Sequence, residues 1–560
     1  MRSLLFLFAC VGLAALAQAQ TQDAAESARR ASFCGAPAGG FEGAPRLLAG
    51  LGDFAWPVSG ATPLAQRWFD QGLVLAWGFN FAAAEDSLRE ATRSAPECAM
   101  CWWGQAYVVG PSVNHDLNRE ERVRAHQAIE RAAALSASAP PLERRLIAAL
   151  RLRHAAPAED DRSRHEAAYE AALAQLVRER PRDAQLQTLL AEARMAQRGR
   201  QYWARDGVPM AWTGPILQGL ELALALAPAH PGANHLYVHA LEDAPPAQVE
   251  RALASARRLA EIAPGVGHLV HMPAHVYFRL GRYEEAMRAN EAAIEADRAS
   301  FGPGGASAAY EAGYGDHNHH FLWASAMMAG RAALALQQAE LLAAAAARHP
   351  AGSAEHLRAL PLYTEIRFGE WQKIAARARP TPHSSYTDSV WHVARGLAAL
   401  RASRAAEAQA ELVKARQAAE AVRRKQALFK NTHELGVLAG IASDLLGAEV
   451  AAAQGDRVLA IVLANRAVAA EDALEFDEPP AWHMPARHTL GALLLEGGQA
   501  RAALEVYRRD LALHPDNGWA LRGLSDAQSA LGQSASAAKT EAAFRRVWTG
   551  ADRPIKNSRF

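Results

Sequence analysis

The sequence predicts an all-α fold, a right-handed solenoid of helix-turn-helix repeats, and three observations carry that reading. Glycine recurs five residues ahead of alanine at Gly281/Ala286, Gly330/Ala335, Gly455/Ala460, Gly498/Ala503 and Gly532/Ala537. The spacing from Ala252 to Ala286 is 34 residues, and so is that from Ala503 to Ala537. No region sustains the period-two alternation of a strand. Each marker has a cause. Glycine ends the first helix of a pair, the small alanine lets two helices approach, and a proline or aspartate such as Pro96 or Asp472 ends the second.

The elements follow in order. Residues 1–19 read as a cleavable signal peptide: Arg2 supplies the positive start, Leu4 to Leu16 is an apolar run too short to span a bilayer, and Ala17-Gln18-Ala19 fits the small-x-small cleavage rule. Export to the periplasm or beyond is therefore expected, and no later segment reaches 18 uninterrupted apolar residues, so no membrane span is expected. Residues 20–62 carry Gly and Pro with little helical period and read as an extended leader. Residues 63–300 form an N-terminal helical array. Its middle part keeps helical patterning over Arg119–Leu135, Pro141–His154, His165–Arg178, Ala184–Ala196 and Ile216–Leu226 while the repeat markers blur. Residues 301–316 are a glycine-rich loop without the Gly-Lys-Ser/Thr ending of a phosphate loop. Central repeats at 317–388, a C-terminal array at 389–548 and a frayed tail at 549–560 complete the chain.

The markers resemble the tetratricopeptide repeat (TPR), most strongly in 68–110, 235–298, 389–472 and 482–548. The resemblance implies a superhelix whose concave face is lined by the first helix of each pair. On that face Trp103, Tyr107, His488 and Trp519 are expected to line a groove for a protein or peptide partner. Half of the 560 residues are hydrophobic and the formal net charge is +1, so there is no basic footprint for nucleic acid.

The chemistry concentrates in histidine. Nine of the 21 histidines fall between residues 230 and 320. His235 and His239 are four apart, as are His271 and His275, so each pair shares one face of a helix. His268 precedes the second pair, and His317, His319 and His320 open the next first helix. Aligned on Gly281 and Gly330, His271 and His320 are equivalent, ten residues before their glycines, and His268 and His317 are equivalent, thirteen before. The expected metal set is therefore His271, His275, His317 and His320, with His268, His235, His239 and His319 in reserve. Imidazole at this spacing suits copper or zinc. Pro273 inside the second pair either kinks the helix or marks its start. Histidines lining a groove or bonding loop carbonyls are the plainer alternative. This is not the His-Glu-x-x-His pattern of zinc peptidases, and no Ser/His/Asp triad can be assembled. His483-Met-Pro-Ala-Arg-His488 repeats part of the His271 motif and reads as a shared helix start.

After removal of the signal, Cys34, Cys98 and Cys101 remain, an odd number. A disulfide from Cys34 to Cys98 or Cys101 is expected to pin the leader. Cys98-Ala-Met-Cys101-Trp102-Trp103-Gly104, His271 to Tyr283 and His317 to Trp323 together resemble a group of exported bacterial TPR proteins. In that group a histidine often follows the asparagine equivalent to Asn80, where this chain has Phe81. The group carries no settled activity, so three functions stay open. The chain is a scaffold that binds a protein or metal-linked ligand and carries a metal, a metal-dependent hydrolase or oxidoreductase, or a peptide-binding module without metal.

Overall fold

The computed structural model describes residues 40–41, 43–159, 161–199, 201–302, 310–428 and 433–560. The expected signal peptide, Cys34 and residues 20–39 and 42 of the expected leader lie outside them. Among the described residues the chain is mainly helical with no β-sheet, and Trp203 and Pro209 form an isolated bridge. Consecutive helices pack as pairs, such as Pro63–Trp77 on Phe81–Ser94 and Ser385–Arg401 on Ala405–Leu428. First helices of successive pairs also touch, as Ala486–Glu496 does Gly518–Ala530. This nearest-neighbour pattern is that of a TPR-like α-solenoid.

The five marker glycines all have φ between 70° and 83°, the left-handed region that ends a helix. At Gly281 a Cβ would also meet the Pro515 carbonyl oxygen 1.9 Å away, so no larger residue fits. The five alanines that follow are buried where helices cross. The blurred middle is helical as expected, with Arg119–Leu135 begun by a reciprocal Asn118/Glu121 cap and Ala184–Ala196 capped by Asp183. The C-terminal array begins four residues earlier than expected, at Ser385–Arg401, because Ser384 and Thr387 form its cap.

The 301–316 segment is only partly a loop. Residues 303–309 lie outside the described residues, but Glu311–Gly315 is a π-helical turn running into Asp316–Ala329. Helix Glu434–Ala453 is long and apolar enough to cross a membrane by length and composition, yet 78% of that stretch is buried inside the array. It is a core helix here.

The four residues expected to line a groove are buried, which corrects that expectation. Helix Pro231–Leu241 reaches back to Pro63–Trp77, and Asp316–Ala329 reaches forward to Gly518–Ala530. Trp103 and Tyr107 are buried: Trp103 stacks on Tyr107 and packs against Trp56 of the leader, while Tyr107 bonds Trp77 and Glu192. His488 is buried between Arg367, Asp510 and Asn517, and Trp519 under Arg367, Trp548 and Phe560. The tail is not frayed. Asp552 accepts hydrogen bonds from the amides of Ala332 (2.8 Å) and Ala333 (2.9 Å), Ser558 bonds Tyr507 and the His488 carbonyl, and Phe560 lies on Trp519. Its apolar anchors, Ile555 and Phe560, give it something to bury.

The cysteine expectation is also corrected. Cys98 caps helix Ala99–Val108 and is joined to Cys101 one turn on, with Cα atoms 5.3 Å apart. That separation is natural for a disulfide, and a helix start supplies it at three-residue spacing. Both partners expected for Cys34 are thereby occupied. Closing so short a loop restricts the unfolded chain little. Cys98→Ser with Cys101→Ser is expected to cost about 2 kcal/mol, checked by denaturant midpoint, and peptide mapping of the wild type should find the two joined.

Candidate metal centre

Two large apolar clusters, one built from residues 41–314 and one from 274–555, meet at helix Gly267–His271 and its continuation Pro273–Arg279. The histidines sit at that junction. Met272 between the two segments keeps right-handed helical angles (φ −51°, ψ −34°), so Pro273 does not break the path. His271 and His275 stay on one face.

Their Nε2 atoms are 2.7 Å apart, and His317 Nε2 is 3.0 Å from that of His271. Three imidazole nitrogens from two adjacent helices thus converge on one point, with all three rings buried. The outer nitrogens of His271 and His275 are held. Asn290 donates to the Ala286 carbonyl at 2.7 Å, which leaves its Oδ1 to accept from His271 Nδ1 at 2.7 Å. His275 Nδ1 bonds the Glu478 carboxylate and lies 3.2 Å from Glu242. Phe321 covers the centre against His271 and His275.

A second group lies beside the first. His235, His239 and His268 also bring one nitrogen each within 4.8 Å of one another, all buried. Phe79, Tyr314 and the rings themselves enclose it.

Burial holds His235, His268 and His271 well below the ordinary imidazole value, reinforced by neighbouring imidazoles. His275 is the exception. Burial opposes its charge, but the Glu478 and Glu242 carboxylates raise it to about 9. The centre therefore favours positive charge at this point, where two buried carboxylates offset it. Inward Nε2 atoms, with the outer nitrogens of His271 and His275 hydrogen-bonded to an amide and a carboxylate, form an arrangement that can hold a transition ion once His275 gives up its inner proton.

The expected set is corrected at two positions. His320 does not join His271. It stacks on Trp323 (centroids 5.4 Å) and faces His356 (6.1 Å). Equivalent positions on successive first helices point into successive chambers, so His271 meets His317 while His320 looks one repeat onward. In that next chamber Ala324 stands where a second ligand would follow four residues after His320. His319 lies on the other side of its helix, bonded to Gln338 at 2.7 Å. His235, His239 and His268, held in reserve, come together as the second group.

Glu242, Glu478 and Asn290 were missed. Glu242 was detectable, three residues after His239 on the same helix face. Glu478 is 203 residues from His275 and comes from the loop before Ala486–Glu496, so no local pattern announces it.

No family model and no curated protein matches this chain. Among solved structures it is similar to a human IFIT1 dimer with m7Gppp-AAAA (13% identity over 87% of this chain and 90% of that one, TM-score 0.31). It is also similar to the APC/C hetero-tetramer Cut9-Hcn1 (13%, 87% and 90%, TM-score 0.26) and the P58(IPK) TPR domain (11%, 84% and 99%, TM-score 0.21).

Proposed function

We propose that this chain is an exported helical-repeat protein whose working part is a buried transition-metal centre, copper or zinc, held by His271, His275 and His317. The observation that carries this is the convergence of three Nε2 atoms, His271 to His275 at 2.7 Å and His271 to His317 at 3.0 Å. Asn290 holds the outer nitrogen of His271, and Glu478 and Glu242 that of His275, orienting these two rings and raising their basicity. The signal segment at residues 1–19 supports export. The scaffold is of a kind suited to protein binding. A partner would be met at the cleft of about 890 Å³ near Arg416, Arg423, Asp444 and Arg466, since the four groove residues are interior.

The donor count favours a second reading, a metal-dependent enzyme. Three protein nitrogens leave a coordination position for water or substrate, whereas a closed four-ligand set would favour structure or storage.

Elemental analysis of protein purified from a native periplasm tests the first reading. At least one equivalent of copper or zinc per chain is expected, and metal-free protein that also takes up neither ion on titration would overturn it. Glu478→Gln should retain the fold and weaken metal binding by about 10- to 100-fold, measured by competition with a chelator of known affinity. Unchanged affinity would show that the carboxylate does not act on the centre.

A further inference from the structure

The second imidazole group repeats the first. His271 and His275 are joined by His317, thirteen residues before Gly330. His235 and His239, each 36 residues earlier than its counterpart in that pair, are joined by His268, thirteen residues before Gly281. Each group therefore consists of an i,i+4 pair from one first helix and the same-position histidine of the next. The repeat has produced the same donor set twice.

The second group has the features of a built site. His235 Nδ1 donates to the Trp77 carbonyl, so its Nε2 carries the bare lone pair, buried and without a partner. Both nitrogens of His268 are likewise buried without a partner. His239 Nδ1 donates to Glu242 at 2.9 Å, which turns its Nε2 toward the group. Ring centroids within the group are 4.6, 5.0 and 6.3 Å apart. Buried imidazole lone pairs facing one another without a proton or cation are costly, and a metal ion supplies the missing charge.

The two groups share one chamber. Glu242 reaches both, one oxygen to His239 Nδ1 and the other to His275 Nδ1 at 3.2 Å. His268 and His271 lie on one helix with centroids 5.7 Å apart, and His239 and His275 are 6.2 Å apart. We propose that the protein holds a dinuclear centre: a second transition ion bound by His235, His239 and His268 beside the one bound by His271, His275 and His317, with Glu242 orienting ligands of both. An all-imidazole donor set without thiolate points to copper, which nitrogen ligands bind most tightly among the divalent first-row metals. This inference rests on the first centre, and its test separates the two.

Full-length protein is titrated with copper(II) sulfate, washed with a weak chelator and analysed for bound copper and for EPR intensity. The wild type should hold two copper ions per chain, with an EPR signal below two spins because the ions are close enough to couple. His235→Gln with His268→Gln should hold one copper with a full one-spin signal, and His271→Gln with His317→Gln should also hold one. The four-fold variant should hold none. Circular dichroism verifies the fold of each. One copper in the wild type, retained in the His235/His268 variant, would overturn the second centre and leave the first standing. No copper in the wild type would overturn both. Two independent full-intensity spins would overturn the adjacency.

Discussion

Replacing His271 with alanine is expected to weaken copper or zinc binding at its centre by more than about 100-fold. Loss of an outer hydrogen-bond partner of a ligand already costs 10- to 100-fold, and here the ligand itself is removed. His271 is also the hub of its group, within 3.0 Å of both other Nε2 atoms. The loss has a thermodynamic signature. A metal that binds only the folded protein stabilises it by about 4 kcal/mol when its concentration is a thousandfold above Kd. Wild-type protein should therefore melt higher with metal than without, and His271→Ala should lose most of that increment while keeping its helical circular dichroism. Metal-dependent stabilisation that survives in the variant would place the ion elsewhere.

Trp519→Ala is expected to destabilise the C-terminal array by about 3–5 kcal/mol, the range for deleting a buried tryptophan. Trp519 is fully buried, donates to the Met327 carbonyl at 3.2 Å and packs under Arg367, whose guanidinium lies 3.7 Å from its ring centre. Trp548 and Phe560 complete the shell. The substitution removes that packing and leaves Arg367, already held down to about 9 by burial, without its aromatic platform. The guanidinium midpoint is the measurement. A loss under about 1 kcal/mol would show Trp519 facing an open groove, as first expected from the resemblance, rather than a filled interior.

What could be read in advance was what repeats. Gly281, Gly330, Gly455, Gly498 and Gly532 announce helix ends because a left-handed backbone angle selects glycine locally. The His235/His239 and His271/His275 pairs were legible because four-residue spacing on a helix is a local property. The alignment of His268 with His317 was legible for the same reason, although its meaning was not: it pairs each histidine with the preceding repeat. What escaped depends on how the superhelix closes. Glu478 reaches His275 across 203 residues, Trp56 reaches Trp103 from the leader, and Asp552 reaches the start of Ala332–Ala345 from the tail. No repeat pattern encodes the pitch that brings these together. The Cys98–Cys101 bond escaped because the odd cysteine count and the unanchored leader pointed to Cys34 as a partner, whereas the pairing depends on how the helix start at Ala99 places the two residues.

The central claim is a metal ion among His271, His275 and His317. Anomalous diffraction from crystals of the full-length protein grown with zinc or copper tests it most directly. A peak about 2.0–2.1 Å from all three Nε2 atoms is expected, with His275 still bonded to Glu478. Crystals with no peak at those nitrogens, or with the metal held only by surface histidines, would contradict it.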